Sequence, residues 1–399
     1  MIRLRNVIIL AVQVILLTAI TLFCVMPFSC RLTEEGIVFV GGDYTAPVIE
    51  TVEVLDERTV QMNFSEGINI TSVIVSKMIE ELSDSMEHSR DENLSPAIAA
   101  AGGEYGTINT TVQISEDSTS VKFIMEKDCE IGQRYEIYGV VEDKTGNTLS
   151  FCVPFTGYNS HVPKLIMTEL LVKYGTGTKN KQTVYRNEFV ELLALTDGNL
   201  AGLEIVSGSD GESKKYVIPP TEVCAGEIVL VHLRCAGEGC VSETENLNEA
   251  TAPHSRNGVR DIWSENEGAC LNDKTDVIIL RNGTGEASGD STGEILDAFM
   301  YAADDAVDWK NGPKTLAEKA CAAGIYETAD ISEAISSKGV SPLQSFQRKN
   351  AAQLKAAAMA AMAESASATS AAGANWSGEF PVLNNAEYWE ISEATPGVL

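Results

Sequence analysis

Short apolar runs in strict alternation, each closed by a turn, set the class of fold this chain can adopt. Val60-Gln61-Met62-Asn63-Phe64 puts every second side chain on one face, as a strand with one covered and one wet face requires. Asp56-Glu57-Arg58 is a turn ahead of it. Val112 to Ile114, the turn Ser115-Glu116-Asp117-Ser118, and Val121, Phe123 and Met125 repeat the scheme. Tyr135 to Val141 is a further strand, ending at Asp143-Lys144-Thr145-Gly146-Asn147, where Gly and Asn supply positive φ angles. Phe151 and Val153 begin the closing strand. Strands this short at this spacing predict a β-sandwich over residues 44–157. One stretch departs: Ile74 to Leu82 reads as a short amphipathic helix, followed by a charged and then small-residue segment to Gly103, an excursion between strands.

The second half, residues 163–399, also reads as strands: Lys164 to Leu171, Asn187 to Leu193, Glu227 to Leu233, Asp276 to Leu280 and Gly293 to Tyr301. Gly175 to Gln182 reads as a loop. Three inserts lengthen it. Residues 237–272 are acidic and rich in Gly and Asn. Residues 314–338 read helical, with Leu316, Ala320 and Ala323 on one face, and 349–373 are Ala-rich, a composition that favours helix. The two helical inserts predict a helical hairpin on the sandwich edge, with a partner-binding helix as the sharper alternative, while the Ser- and Ala-rich stretch from Glu364 to Gly373 also reads as a linker.

The N-terminus carries an address. Arg3 and Arg5 precede an apolar stretch from Val7 to Phe28, a basic flank and apolar region of the kind that exports a chain. Residues 1–29 therefore read as a signal peptide or an uncleaved anchor helix long enough to span a bilayer, with 30–43 as linker. Ser29-Cys30 resembles the lipobox of bacterial lipoproteins, which implies lipidation at Cys30, although Pro27 stands where that family favours an aliphatic residue. Lipidation, an uncleaved anchor and simple cleavage all export the rest of the chain.

Charge and cysteine usage agree with that address. With 29 basic against 57 acidic residues the net charge is −28; a chain so acidic, without a basic run, excludes nucleic acid as an expected partner. Beyond Cys24 and Cys30 there are seven cysteines, Cys129, Cys152, Cys224, Cys235, Cys240, Cys270 and Cys321. None forms a C-x-x-C pair, and none has a histidine at zinc-ligand spacing. In an oxidising compartment they are disulfide candidates. Cys129 and Cys152 could close the hairpin-rich first domain, and spacing leaves the other five unassigned.

Two resemblances give the halves a family character. The opening Ala46-Pro47, the segment Val60 to Glu66 and the segment Val141 to Asn147 resemble the bacterial Ig-like domain of surface-layer and exported proteins. Asp43, Glu66 and Asp143 would gather at one end of such a sandwich, where their oxygens suit Ca²⁺; solvated turn carboxylates are the plainer reading. Across 163–399, Ile166 to Leu170, Glu188 to Leu192, Leu200 to Gly202, Gly293 to Tyr301, Ser345 to Arg348, and Trp389 with Ala394-Thr395-Pro396-Gly397 resemble the lamin-tail domain. That domain is a compact Ig-like β-sandwich of nuclear lamins and many exported bacterial proteins. Leu203 stands where the family commonly has Trp. The expected fold is thus all-β: two tandem Ig-like β-sandwiches with helical insertions, preceded by a signal or anchor helix.

Catalytic motifs are missing from the sequence: there is no G-x-S-x-G elbow, Walker loop or H-E-x-x-H. Glu188 and Glu191, three apart, fall on opposite faces of a strand, and the lamin-tail resemblance implies structural or surface roles for them. His232 precedes Cys235 by three residues with no orienting partner evident. The reading is a non-enzymatic, membrane-anchored exported protein, periplasmic or cell-surface, acting as a binding or scaffold module of the envelope. No cofactor is implied beyond Ca²⁺ at the three carboxylates. Its expected partners are membrane lipid at the N-terminus and a protein or glycan, with self-association through sheet edges open. A surface adhesin, and an accessory or targeting subunit of a secreted hydrolase or nuclease, are the alternatives.

Overall fold

A computed structural model describes the backbone of residues 28–33, 36–41, 43–78, 106–210, 214–283, 293–367 and 384–399. The described chain divides into two compact units. The first is drawn from the residues up to Val52 with Gln61–Ile124 and Glu136–Val153, the second from Glu53–Val60, Met125–Tyr135 and Pro154–Leu399. Strands make up most of both, and the described residues hold two α-helices.

The chain enters as an antiparallel hairpin, β1 (Phe28–Thr33) and β2 (Gly36–Gly41), with Cys30 opposite Phe39. Most of the expected linker is therefore strand. The expected signal or anchor helix lies, up to residue 27, outside the described residues. No helix among the described residues is long and apolar enough to cross a membrane.

Two four-stranded sheets follow. One has the order β3 (Ile49–Val54), β4 (Thr59–Phe64), β8 (Ser120–Met125), β7 (Thr110–Ile114). The other runs β10 (Thr148–Thr156), β9 (Arg134–Asp143), β5 (Ile68–Lys77), β6 (Thr107–Ile108). The alternation read from sequence is the burial observed: Val60, Met62 and Phe64 on β4 and Val121, Phe123 and Met125 on β8 are buried while their neighbours are not. Phe64 meets Phe151 of the other sheet, ring centroids 6.3 Å apart. The helix expected from Ile74 is corrected as far as residue 77: Ile74–Lys77 end β5, whose Ile, Thr and Val content favours an extended backbone over helix. The remainder of that expected helix, from residue 79, lies outside the described residues.

The second unit is built on a six-stranded and a five-stranded sheet. The six-stranded order is β20 (Arg260–Trp263), β19 (Ile228–His232), β14 (Phe189–Ala194), β11 (Leu165–Leu171), β24 (Gln344–Arg348), β25 (Trp389–Glu393). The five-stranded order is β17 (Lys214–Val217), β16 (Leu203–Ser207), β21 (Asp276–Asn282), β22 (Ile295–Ala302), β23 (Ile335–Ser336). Small two-stranded pieces, β12 (Gly175–Lys179) with β13 (Gln182–Arg186) and β15 (Gly198–Asn199) with β18 (Glu222–Val223), complete it. Between the two large sheets lies the main core, where Phe299 packs on Phe346 and Trp389 at centroid distances of 5.0 and 4.4 Å.

The outer faces are covered too. Helix α1 (Asn311–Ala322) lays Leu316, Ala317 and Ala320 on Val206, Val277, Ile279, Ala298 and Met300 of the five-stranded sheet. Helix α2 (Ala351–Ser367) sets Leu354 and Ala358 against Ile166, Leu193, Leu195 and Ile228 of the six-stranded sheet. This corrects the expected helical hairpin: the helices cover different sheets, and they cover faces, not an edge. Coverage on both sides explains why every residue of β11, β14 and β19 is buried, the pattern of sheets enclosed between layers. Ala323, expected on the buried face of α1, is its exposed C-cap.

Two further expectations are revised. Gly175 to Gln182 is not a loop but the heart of the β12–β13 hairpin, turned by Asn180 and Lys181 at φ 53° and 66°, the two positive angles of a tight hairpin turn. The insert 237–272 supplies β20, which pairs in parallel with β19.

Candidate functional site

Three groups of polar side chains are brought together by these elements. The first is the predicted carboxylate trio. Asp43, Glu66 and Asp143 each offer an oxygen within 4.8 Å of the others. Asp143 ends β9, and its Oδ1 accepts the backbone N–H groups of Thr145 and Asn147, both at 2.8 Å. Its Oδ2 accepts from the Asn147 amide at 2.7 Å, and the Thr145 hydroxyl reaches both oxygens at 2.9 Å. Desolvation pulls this carboxyl upward, but those donors outweigh it and hold it at about 2. Desolvation, then the charges of Asp143 and Asp43, raise Glu66. The trio could supply oxygen ligands to a hard cation, yet Asp143 is already committed to ordering its turn. Gly146 alone takes positive φ there, 89°; Asn147, expected to share that role, serves as a donor to Asp143 instead.

The second group lies along β11. Its pairing with β14 shifts register between Met167 and Glu169. A bulge of this kind exchanges the faces that successive side chains occupy: Leu165 and Met167 before it, and Leu170 and Val172 after it, all point into the main core. Met167 N–H donates to Asp297 Oδ2 at 2.7 Å, and Arg348 Nε donates to the Met167 carbonyl at 2.9 Å. Arg348 Nη2 meets the same Asp297 oxygen at 3.1 Å, with both side chains buried. On the neighbouring positions Glu169 Oε1 accepts from the Ser345 hydroxyl at 2.5 Å and from Thr395 N–H at 2.9 Å. Glu191 accepts from the Thr168 hydroxyl at 2.6 Å and from Gly397 N–H at 2.7 Å. Desolvation pushes Glu191 up to about 7, the nearby Glu169 adding to the rise, and burial raises Glu169 as well.

The third group was not legible in the sequence. His232, at the end of β19, is fully buried, and its Nε2 lies 2.6 Å from Asp261 Oδ1 on β20. The imidazole stacks on Trp263 at 3.7 Å and 5°. Burial lowers the His232 pKa against the pull of Asp261, and its Nδ1 has no hydrogen-bond partner among the described residues. The orienting partner that sequence spacing failed to supply is thus Asp261, carried by the insert 237–272, in which the sequence reading placed no strand. Glu188 precedes β14 and accepts Cys270 N–H at 3.1 Å; burial lifts it to about 7. Glu188 and Glu191 therefore serve separate networks, as their spacing predicted, and neither is a surface residue.

The seven cysteines from Cys129 to Cys321, whose side chains are described, are free thiols. Cys129 is buried, and burial drives its thiol, which lies at Tyr135, up to about 11. Cys152 is exposed and bonds Tyr138. Cys129 and Cys152 are both free, so the bridge between them is not formed here.

Residues 163–391 match the family model described as TP_1001_2nd, protein second domain. An uncharacterized protein of Treponema pallidum (strain Nichols) is 25% identical over 225 residues, 56% of this chain and 53% of that protein; the chain spans about half the length of this curated relative. Among solved structures, a DUF4876 family protein from Bacteroides thetaiotaomicron overlaps at TM-score 0.25 and 10% identity, covering 63% of this chain and 79% of that one. The N-terminal part of the bacterial S-layer protein SbsC overlaps at TM-score 0.22 and 11% identity, over 38% of this chain and 41% of that one. Overlaps this loose carry no fold assignment.

Proposed function

We propose that this chain, which belongs through residues 163–391 to the TP_1001_2nd protein second-domain family, is a non-enzymatic, membrane-anchored exported protein that serves the cell envelope as a binding or scaffold module. Its address is the basic flank at Arg3 and Arg5, the apolar stretch to Phe28, and Ser29-Cys30 as the lipidation point. In this reading both halves are Ig-like sandwiches, the second of lamin-tail type.

One observation carries the second-half assignment. The motifs behind the resemblance are scattered from residue 166 to residue 397, yet their polar groups meet across the fold, Glu169 with Ser345, Glu191 with the Gly397 N–H, and Asp297 with Arg348. These groups are consumed in fastening the strands and the C-terminal segment. Binding then falls to the outer surface, whose ligand is a protein or glycan. The family resemblance in turn supplies no catalytic role for these carboxylates, and fold alone does not fix a ligand.

The test is fractionation of the native bacterium with a Cys30→Ala variant beside the natural chain. Partition of the natural protein into the detergent phase, and loss of that partition in the variant, supports lipid anchoring at Cys30. Equal partition of both points to the uncleaved apolar segment as the anchor, and recovery of the natural protein with cytoplasmic markers contradicts the reading.

A further inference from the structure

We infer that the β12–β13 hairpin is a ligand-binding element and that its ligand is an acidic polysaccharide, a glycan carrying carboxylate or sulfate groups. The inference rests on the envelope-binding reading above and names the ligand class for it. Lys173, Lys179, Lys181 and Arg186 fall between Val172 and Asn187, a stretch without an acidic residue, in a chain of 57 acidic against 29 basic residues. No two of the four are adjacent in sequence, so they form no basic run; antiparallel pairing is what gathers them. Lys179 and Lys181 are exposed at the turn, and Lys173 and Arg186 are half-buried at the base. Among the described residues none of the four forms an ion pair, so no neighbour cancels their charge. Arg234 adds a fifth cation at the base, its guanidinium 3.6 Å from the centre of the Tyr174 ring.

The pairing orders these charges. It sets Gly175, Gly177, Lys179, Gln182, Val184 and Arg186 on one face and Thr176, Thr178, Thr183 and Tyr185 on the other, because side chains alternate along a strand. Gly177 leaves the first face open, and Arg186 reaches across the pair into that space. A Cβ at Gly177 would stand 2.7 Å from both terminal nitrogens of the guanidinium. Lys179 follows two residues on along the same strand and face, about 7 Å further. Two cations therefore lie along one strip. The loop that carries Glu238 meets the hairpin where Gly237 packs on Tyr185, on the opposite face, so that contact brings no carboxylate onto the strip.

Chemistry then selects the ligand. Cations spaced along an extended strip match an anionic chain running beside it, and the Arg186 guanidinium offers a planar fork to paired acidic oxygens. Asn180, Gln182 and the threonines add neutral donors and acceptors of the kind that sugar hydroxyls use. Entry into a lipid surface calls for an apolar tip, whereas the tip here is Lys179-Asn180-Lys181-Gln182. A net charge of −28 repels polyanions at long range, which confines the attraction to this element and makes it sensitive to salt.

The test uses the purified full chain in a neutral detergent, with fluorescently labelled heparin as the probe and polarisation as the readout. The natural chain is expected to bind heparin but not neutral dextran, with an affinity that falls as sodium chloride is raised. Lys179→Gln combined with Lys181→Asn and Arg186→Gln should weaken binding by about tenfold or more. Asn tolerates the positive φ of position 181, and the melting midpoint of the variant reports that the fold is kept. Gly177→Val retains every charge but displaces the guanidinium, and should weaken binding by a smaller factor. Absence of heparin binding in the natural chain, or undiminished binding in both variants, would overturn the inference. So would equal affinity for duplex DNA, or displacement of heparin when phosphatidylglycerol is added to the micelles, which would assign the hairpin to a lipid surface. Binding by the purified chain is independent of where the cell sends it, so failure here leaves export and anchoring to be decided by the fractionation above.

Discussion

Glu191 accepts the backbone N–H of Gly397 at 2.7 Å, joining the middle strand of the larger sheet to a segment 206 residues further along. Glu169 does the same for Thr395 at 2.9 Å. A buried acceptor that loses its donor retains the cost of having left water, about 1–3 kcal/mol for each group. Removing residues 395–399 is therefore expected to lower the denaturation midpoint of the second unit, by an amount that Glu191→Gln does not reproduce. Urea unfolding followed by tryptophan fluorescence checks it. A truncation without effect would show that these contacts contribute nothing to stability.

The same carboxylates set the pH dependence. Glu188 and Glu191 are both raised to about 7 by burial, so the folded chain binds their protons more tightly than the unfolded chain does. Their contribution is fully present below the ordinary carboxyl range and is lost as pH rises through about 7. Each amounts to on the order of 3 kcal/mol across that window. We expect the melting midpoint to fall between pH 5 and pH 8, and Glu188→Gln to flatten that fall. A midpoint that climbs over this interval would contradict the assignment.

The Arg348–Asp297 pair links the two sheets at 3.1 Å with both partners buried. Removing one member of such a pair strands the other charge, at a cost of about 3–5 kcal/mol. Arg348→Met should come close to unfolding the second unit, whereas Arg348→Met with Asp297→Asn should recover part of the loss. A double-mutant cycle in urea measures this, and a cycle that closes without coupling would remove the pair from the account.

At the end of the first unit, Glu66 is crowded by Asp143 and Asp43 and is raised, first by desolvation and then by their charge. In protein dialysed against a chelator, Glu66→Gln is expected to raise the melting midpoint of that unit. Adding Ca²⁺ to the natural protein distinguishes the two readings of the trio. An upward shift that Glu66→Gln abolishes makes it a cation site, and no shift leaves Asp143 as a turn anchor.

Much of this arrangement was legible in the residues, for physical reasons that also mark where legibility stopped. Val60, Met62 and Phe64 announce their strand because alternation is local, and Asp43, Glu66 and Asp143 could be brought together because turns of one sandwich end share a neighbourhood. β5 was misread at Ile74 because its burial depends on partners far along the chain. The Asn180-Lys181 turn lacks the glycine that usually marks such hairpins. Asp261 stayed hidden because β20 pairs in parallel with β19 after a long connection, so no spacing links it to His232. The hold of Glu169 and Glu191 on the C-terminal segment is visible only once sheet order is known.

The central claim is that residues beyond the N-terminal segment work outside the cytoplasm, tethered to the envelope. Protease treatment of intact cells of the native bacterium, compared with cells whose outer membrane alone has been opened and with fully lysed cells, tests it most directly. We expect the chain to be digested before any cytoplasmic marker is touched: in intact cells if it faces outward, or on opening the outer membrane if it faces the periplasm. Protection until the cytoplasmic marker itself is degraded would contradict the account.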